Sequence, residues 1–95
     1  FMLVVLPRSI NNVEMSFMQM KRTEVFLPSK VQVMLSNDGQ TYDEVYSKDE
    51  PQEDTENPLY RTHKWKGHKK ARYVHVKVEK STFGGFVMCD EIIIR

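Results

Sequence analysis

Ninety-five residues make one domain or a fragment of one, with room for only a modest core. Lys and Arg number 14 against 13 Asp and Glu, a net charge of +1, so no global field recruits nucleic acid or an anionic membrane. Cys89 is the only cysteine, which excludes an intrachain disulfide.

The chain opens on the apolar run Phe1–Leu6, far too short to span a bilayer and without the basic start or cleavage site of a signal peptide. It reads as a first strand covered on both faces and ended or edged by Pro7. Because Phe1 is not an initiator Met, a processing or fragment boundary is expected there. Val13 to Met20 alternates cleanly, with Val13, Met15 and Phe17 opposite Glu14, Ser16 and Met18. Lys21–Leu27 connects, and Phe26-Leu27-Pro28 is placed to cap one end of a sandwich. Val31–Leu35 and Tyr42–Tyr46 are two arms about a tight Asn37-Asp38-Gly39 turn, where Gly takes positive φ freely.

Ser47–Pro58 reads as an acidic loop bracketed by Pro51 and Pro58, a composition that opposes any buried element. Leu59–Trp65 is a strand, Gly67 to Lys70 a turn, and Arg72–Glu79 a strand with Val74, Val76 and Val78 on one face. Gly84-Gly85 marks a hinge or bulge, and Phe86–Ile94 closes the domain, its three isoleucines implying cover on both faces. No internal repeat or amphipathic helix interrupts the pattern. Short β-branched and aromatic clusters at this spacing predict an all-β fold, an antiparallel β-sandwich over residues 1–95.

Catalysis finds no support in the residues. Glycoside hydrolysis needs two carboxylates across one bond, and the acids here lie in the Ser47–Pro58 loop or singly on strands. No Ser or Cys stands beside a His in a recognisable elbow. The stretch from Tyr60 to His75 is basic, with aromatics interleaved, which suits a nucleic-acid strand or a solvated face opposite the acidic loop. Near-neutral net charge favours the solvated face, hence no nucleic-acid partner. Trp65 is a candidate sugar platform, with Arg61, His63 and His68 near it as donors for ring hydroxyls. Equally, Arg61, His63 and Trp65 share one strand face, which would make Trp65 half-buried core or interface. The three histidines match no structural zinc pattern, and six methionines fit an irregular β-core.

Three segments together carry a resemblance. Ser36-Asn37-Asp38-Gly39 leading to Tyr42, then Ala71-Arg72-Tyr73-Val74-His75-Val76, then Glu91-Ile92-Ile93-Ile94 resemble the coagulation factor 5/8 C-terminal (discoidin) type domain. That family implies a galactose-binding-like jelly roll that binds ligand without catalysing, and it places a structural calcium ligand near Glu91. Glu91 pairing with a basic side chain is the alternative. The family begins with several dozen residues before the strand matching Phe1–Leu6, so a missing N-terminal segment is expected. Other members of the broad family imply a phospholipid or adhesion role, but the loops here are mainly polar.

A narrower likeness rests on Met15–Gln19, Phe26–Val31 and Cys89–Ile93. These resemble the C-terminal accessory domain of Bacteroides-type β-hexosaminidases (chitobiases) of glycoside hydrolase family 20. The resemblance implies a carbohydrate-binding module of a secreted, periplasmic or cell-surface bacterial enzyme. Its partners would be a glycan ending in galactose or N-acetylhexosamine and the catalytic domain of the same polypeptide. The alternative is a structural sandwich that packs on that domain without binding sugar.

Overall fold

A computed structural model describes residues 2–95, with side chains described from Arg8 onward. Its strands are β1 (Met2–Gln19), β2 (Lys30–Ser36), β3 (Asp43–Asp49), β4 (Leu59–Glu79) and β5 (Met88–Ile94), with a short 3-10 turn at Lys21–Thr23. The strands pair antiparallel in the order β3-β2-β4-β1-β5.

The sandwich is one sheet folded over. Extended flat, the 21 residues of β4 would reach roughly 70 Å, yet the longest dimension of the molecule is 42 Å. Both long strands bend where their pairing slips, between Val4 and Arg8 and between Ile10 and Asn12 of β1. The first half of β4 pairs with β1 from Arg8 to Gln19, and β5 lies beyond β1. The second half pairs with β2, which carries β3. Core residues from both halves, Met15 and Phe17 against Val33, Val74 and Val76, meet in one cluster.

Two expected breaks are therefore strand. The Gly67–Lys70 turn is a bent corner of β4, because Ser9 and Ile10 of β1 continue the ladder against Lys70 and Lys69. Ile10, which no sequence pattern assigned to a strand, is fully buried at that corner. Pro7 likewise falls inside β1. Phe1, and the expected cover on both faces of Phe1–Leu6, lie outside the described residues and side chains.

The alternating faces hold. Val13, Met15 and Phe17 are buried, as are Val31, Val33, Leu35, Val74 and Val76. Val78 is exposed, since it lies where the two layers open. Ile92, Ile93 and Ile94 are half-buried rather than enclosed, because β5 is an edge strand with pairing on one side. Phe26, Leu27 and Pro28 plug one end of the sandwich as expected.

The turn after β2 is held by side chains. Ser36 Oγ accepts from the N–H groups of Asp38 and Gly39 at 3.2 and 2.9 Å. Asp38 Oδ1 accepts from Gln40 and Thr41, both at 2.8 Å. Gly39 takes φ +80°, with the Tyr73 ring against it.

Candidate functional site

Arg61, His63, Trp65 and His68 are strung along the first half of β4 and do not converge. Arg61 and His68 stand roughly 20 Å apart along the strand. Arg61 is exposed near the plugged end, its Nη2 3.5 Å from Glu53 Oε2. Trp65 is half-buried against the core with its indole lying over Gly67, where a Cβ would come within 2.6 Å of Cζ2. His68 is exposed at the bent corner, Nδ1 2.8 Å from Asn11 Oδ1 and Nε2 3.4 Å from Ser9 Oγ.

His63 points inward and is only 3% exposed. Its Nε2 lies 3.2 Å from Glu50 Oε1 and its Nδ1 2.7 Å from the Tyr46 hydroxyl. A carboxylate can only accept, so Nε2–H donates to Glu50 and Nδ1 accepts from the Tyr46 O–H. Burial pushes the imidazole below its ordinary range, with Lys48 adding to the effect and Glu50 opposing it. Burial likewise raises the Tyr46 phenol, as does Glu50. The edge of Phe17 closes over the ring, so this Tyr–His–Glu chain works as an internal clamp. The sequence signal was parity: His63 shares the inward face with Trp65, whereas nothing local ties it to Tyr46 or Glu50.

The clamp belongs to a larger knot at the plugged end. Buried Gln19 donates from Nε2 to the Glu53 carbonyl at 2.7 Å, while its Oε1 accepts from Leu27 N–H at 3.2 Å. Gln52 donates to the carbonyls of Pro28 and Glu50, and its Oε1 accepts from Ser81 and Thr82. The acidic segment is strand through Asp49 and, as expected, irregular and without a buried residue beyond it; its Gln52 and Glu50 nevertheless reach partners that composition could not show, which makes it an ordered cover. Lys21 ties it down further, 2.6 Å from Asp54 and 3.3 Å from Glu56, and these carboxylates hold the ammonium above its usual range.

A cleft of about 350 Å³ opens beside this knot, lined by Met20, Arg22, Glu56 and Pro58. Arg22 offers paired donors, Glu56 accepts from hydroxyls, and Met20 with Pro58 supplies an apolar wall. Tyr60, two residues beyond Pro58 and 64% exposed, presents an aromatic ring to solvent. Charged, hydrogen-bonding and apolar groups thus stand side by side at one loop end. None of them was among the residues singled out from the sequence, because the 3-10 turn and the acidic segment meet only in the fold.

The model of the F5/8 type C domain family matches residues 7–92. The chain belongs to that family. No curated protein matches it. F5/8 type C domains are non-catalytic modules that bind carbohydrates or other ligands.

The calcium expectation finds no side-chain shell among the described residues. Glu91 is exposed on β5, opposite Ser16, and among the described residues no three His, Cys, Asp or Glu side chains converge as metal ligands. A hard cation wants several oxygens, and no cluster of acidic side chains among the described residues supplies them at Glu91. No described helix is long and apolar enough to cross a membrane.

Proposed function

We propose that the domain is the carbohydrate-binding accessory module of a secreted or cell-surface bacterial glycoside hydrolase of the β-hexosaminidase kind. The observation that carries the carbohydrate reading is the family match combined with the loop-end cleft of Arg22, Glu56, Met20 and Pro58 beside exposed Tyr60. The parent enzyme is supported by the likeness of Met15–Gln19, Phe26–Val31 and Cys89–Ile93 to the accessory domain of such enzymes. Monovalent affinity would be weak, about micromolar to millimolar, since a shallow site satisfies few hydroxyls. Tethering would serve the enzyme through effective concentration.

The test is a ligand-observed NMR screen with galactose, N-acetylgalactosamine, N-acetylglucosamine and chitobiose, with calcium and then with chelator. Binding to one sugar that is lost in Arg22→Ala supports the cleft. Loss in Trp65→Ala, with the fold intact, would move the site to the inward face of β4. Silence across the panel from a folded sample overturns the reading.

One observation favours the structural alternative. Phe17, Val76, Val78, Val87, Cys89 and Ile92 line a second, apolar opening of about 160 Å³ between β5 and the end of β4. Phe83, Phe86 and Met88 are exposed in the segment leading to it. A catalytic domain packed there would cover that surface.

A further inference from the structure

A line of cations runs along the outward face of β4. Side chains alternate on a strand, so with His63, Trp65 and Ala71 turned inward, Lys64, Lys66, His68 and Lys70 emerge on the solvent side, and Arg72 is exposed where the alternation slips before buried Val74. Lys64 pairs with Glu14 at 2.9 Å. Among the described residues, Lys66, Lys70 and Arg72 have no carboxylate within ion-pair distance. Their neighbours on β1 are neutral: Asn12 lies opposite Lys66 and Ser9 opposite Lys70. Asn11 and Ser9 hold His68 between them.

Lys64 and Lys66, and Lys70 and Arg72, are about 7 Å apart, within the screening length of about 8 Å at physiological salt, while Lys66 and Lys70 are about 13 Å apart. The stripe is therefore two short clusters of positive charge on one strand, spaced to meet successive anionic groups of an extended chain. The acids that bring the net charge to +1 include Asp49, Glu50, Glu53, Asp54 and Glu56, gathered at the opposite end of the sandwich. Near-neutrality therefore conceals a partial segregation of charge, with Glu14 and Asp43 the carboxylates that pair with lysines of this stretch, Lys64 and Lys69. Tyr60 and Thr62 extend the same face back toward the cleft, so a chain ending there would pass over an exposed ring and then along the cations.

We propose that this face binds an acidic polysaccharide, an extended glycan bearing sulfate or carboxylate groups, through Lys66, Lys70 and Arg72. The inference rests on the carbohydrate reading above and names the class of glycan. The stripe suits a polysaccharide better than a nucleic-acid strand. Single-strand binding interleaves stacking rings with cations, whereas no aromatic residue lies on this face between Lys64 and Arg72. A purely protective role is the competing account. The first half of β4 has no strand on the side away from β1, and lysines on such edges deter edge-to-edge association.

The experiment titrates the 95-residue chain with dextran sulfate, polygalacturonate, neutral dextran and oligo(dT) at low and moderate salt, reading affinity and backbone amide shifts. Lys66→Gln/Lys70→Gln/Arg72→Gln is compared with a charge-matched control, Lys48→Gln/Lys77→Gln/Lys80→Gln. At least one acidic polymer should bind, more weakly as salt rises, shifting amides around Lys66–Arg72, while neutral dextran should leave them unmoved. Which of the two binds distinguishes sulfate from carboxylate. The stripe variant should lose about tenfold or more in affinity and flatten the salt dependence, with the control changing little. Should the triple variant fail to fold, single Lys70→Gln read by its salt slope serves instead.

Equal loss in both triple variants, or oligo(dT) binding as tightly as the acidic glycans, overturns the proposal. Unchanged affinity with new self-association assigns the stripe to edge protection. Neutral sugars binding at Arg22 while acidic polymers fail would overturn this inference alone. Failure of both would remove the carbohydrate reading as well.

Discussion

The Tyr46 hydroxyl lies 2.7 Å from His63 Nδ1 although the two residues belong to distant parts of one sheet. Tyr46 pairs with Val33, which pairs in turn with Val76 of β4. His63 would stand roughly 40 Å farther along that strand if it ran straight. This hydrogen bond closes the folded sheet on itself, and Glu50 on the other side of the ring fastens the acidic cover to the same point.

Tyr46→Phe is expected to leave Nδ1 buried without a partner and to lower stability by about 1–3 kcal/mol. Urea unfolding checks it; an unchanged midpoint would show that the layers do not depend on the clamp.

Acid should weaken the same clamp. His63 in the folded chain lies below the ordinary histidine value of 6.5, chiefly through burial. The unfolded state therefore takes up protons first, so this contribution to stability is full above 6.5 and is lost as pH falls through the folded value. Stability should rise with pH across that window in the wild type and lose this slope in His63→Phe. Melting temperatures of the two from pH 5 to pH 8 decide it, and parallel curves would contradict it.

Asp38 makes a second pH-dependent contribution. Backbone N–H groups of Thr41 and Gln40, then the Ser36 hydroxyl, hold its carboxyl below 3.8. Its stabilising effect is present above 3.8 and disappears as pH falls through the depressed folded value. Asp38→Ala should melt below the wild type at neutral pH and converge with it in acid. A constant gap at every pH would mean the turn is held by something other than the carboxylate.

Phe17 is 2% exposed, packs against the His63 ring, and belongs to the core shared by the two layers. Phe17→Ala should cost about 3–5 kcal/mol, the cavity adding to the lost burial. Calorimetry showing a much smaller loss would indicate that the layers collapse to fill the gap.

Gly85 joins the segment before β5 to the plugged end at φ +69°. A Cβ there would collide with the Glu24 carbonyl and come within 2.8 Å of the Phe26 ring. Gly85→Ala should destabilise the domain by more than about 1 kcal/mol and loosen the Phe26–Phe83 contact. Hydrogen exchange at Phe26 and Phe86, whose backbone groups bond across this join, would report it.

Much of the architecture was legible in the chain. Alternation of Val13, Met15 and Phe17, of Val31, Val33 and Leu35, and of Val74 and Val76 set which faces go inward, because side-chain direction on a strand depends only on local period. Asn37-Asp38-Gly39 located its turn, and the segments around Ser36, Ala71 and Glu91 pointed to the family that the match over residues 7–92 shows. What sits opposite each face is a long-range matter. Only the tertiary structure bent β4 through its basic corner, buried His63 between Tyr46 and Glu50, and brought Arg22 beside Glu56. Those outcomes depend on where the bulges of β1 turn the sheet. No local pattern of charges or apolar residues encodes that position, because a run such as Lys66–Lys70 looks the same whether it ends a strand or carries it around a corner.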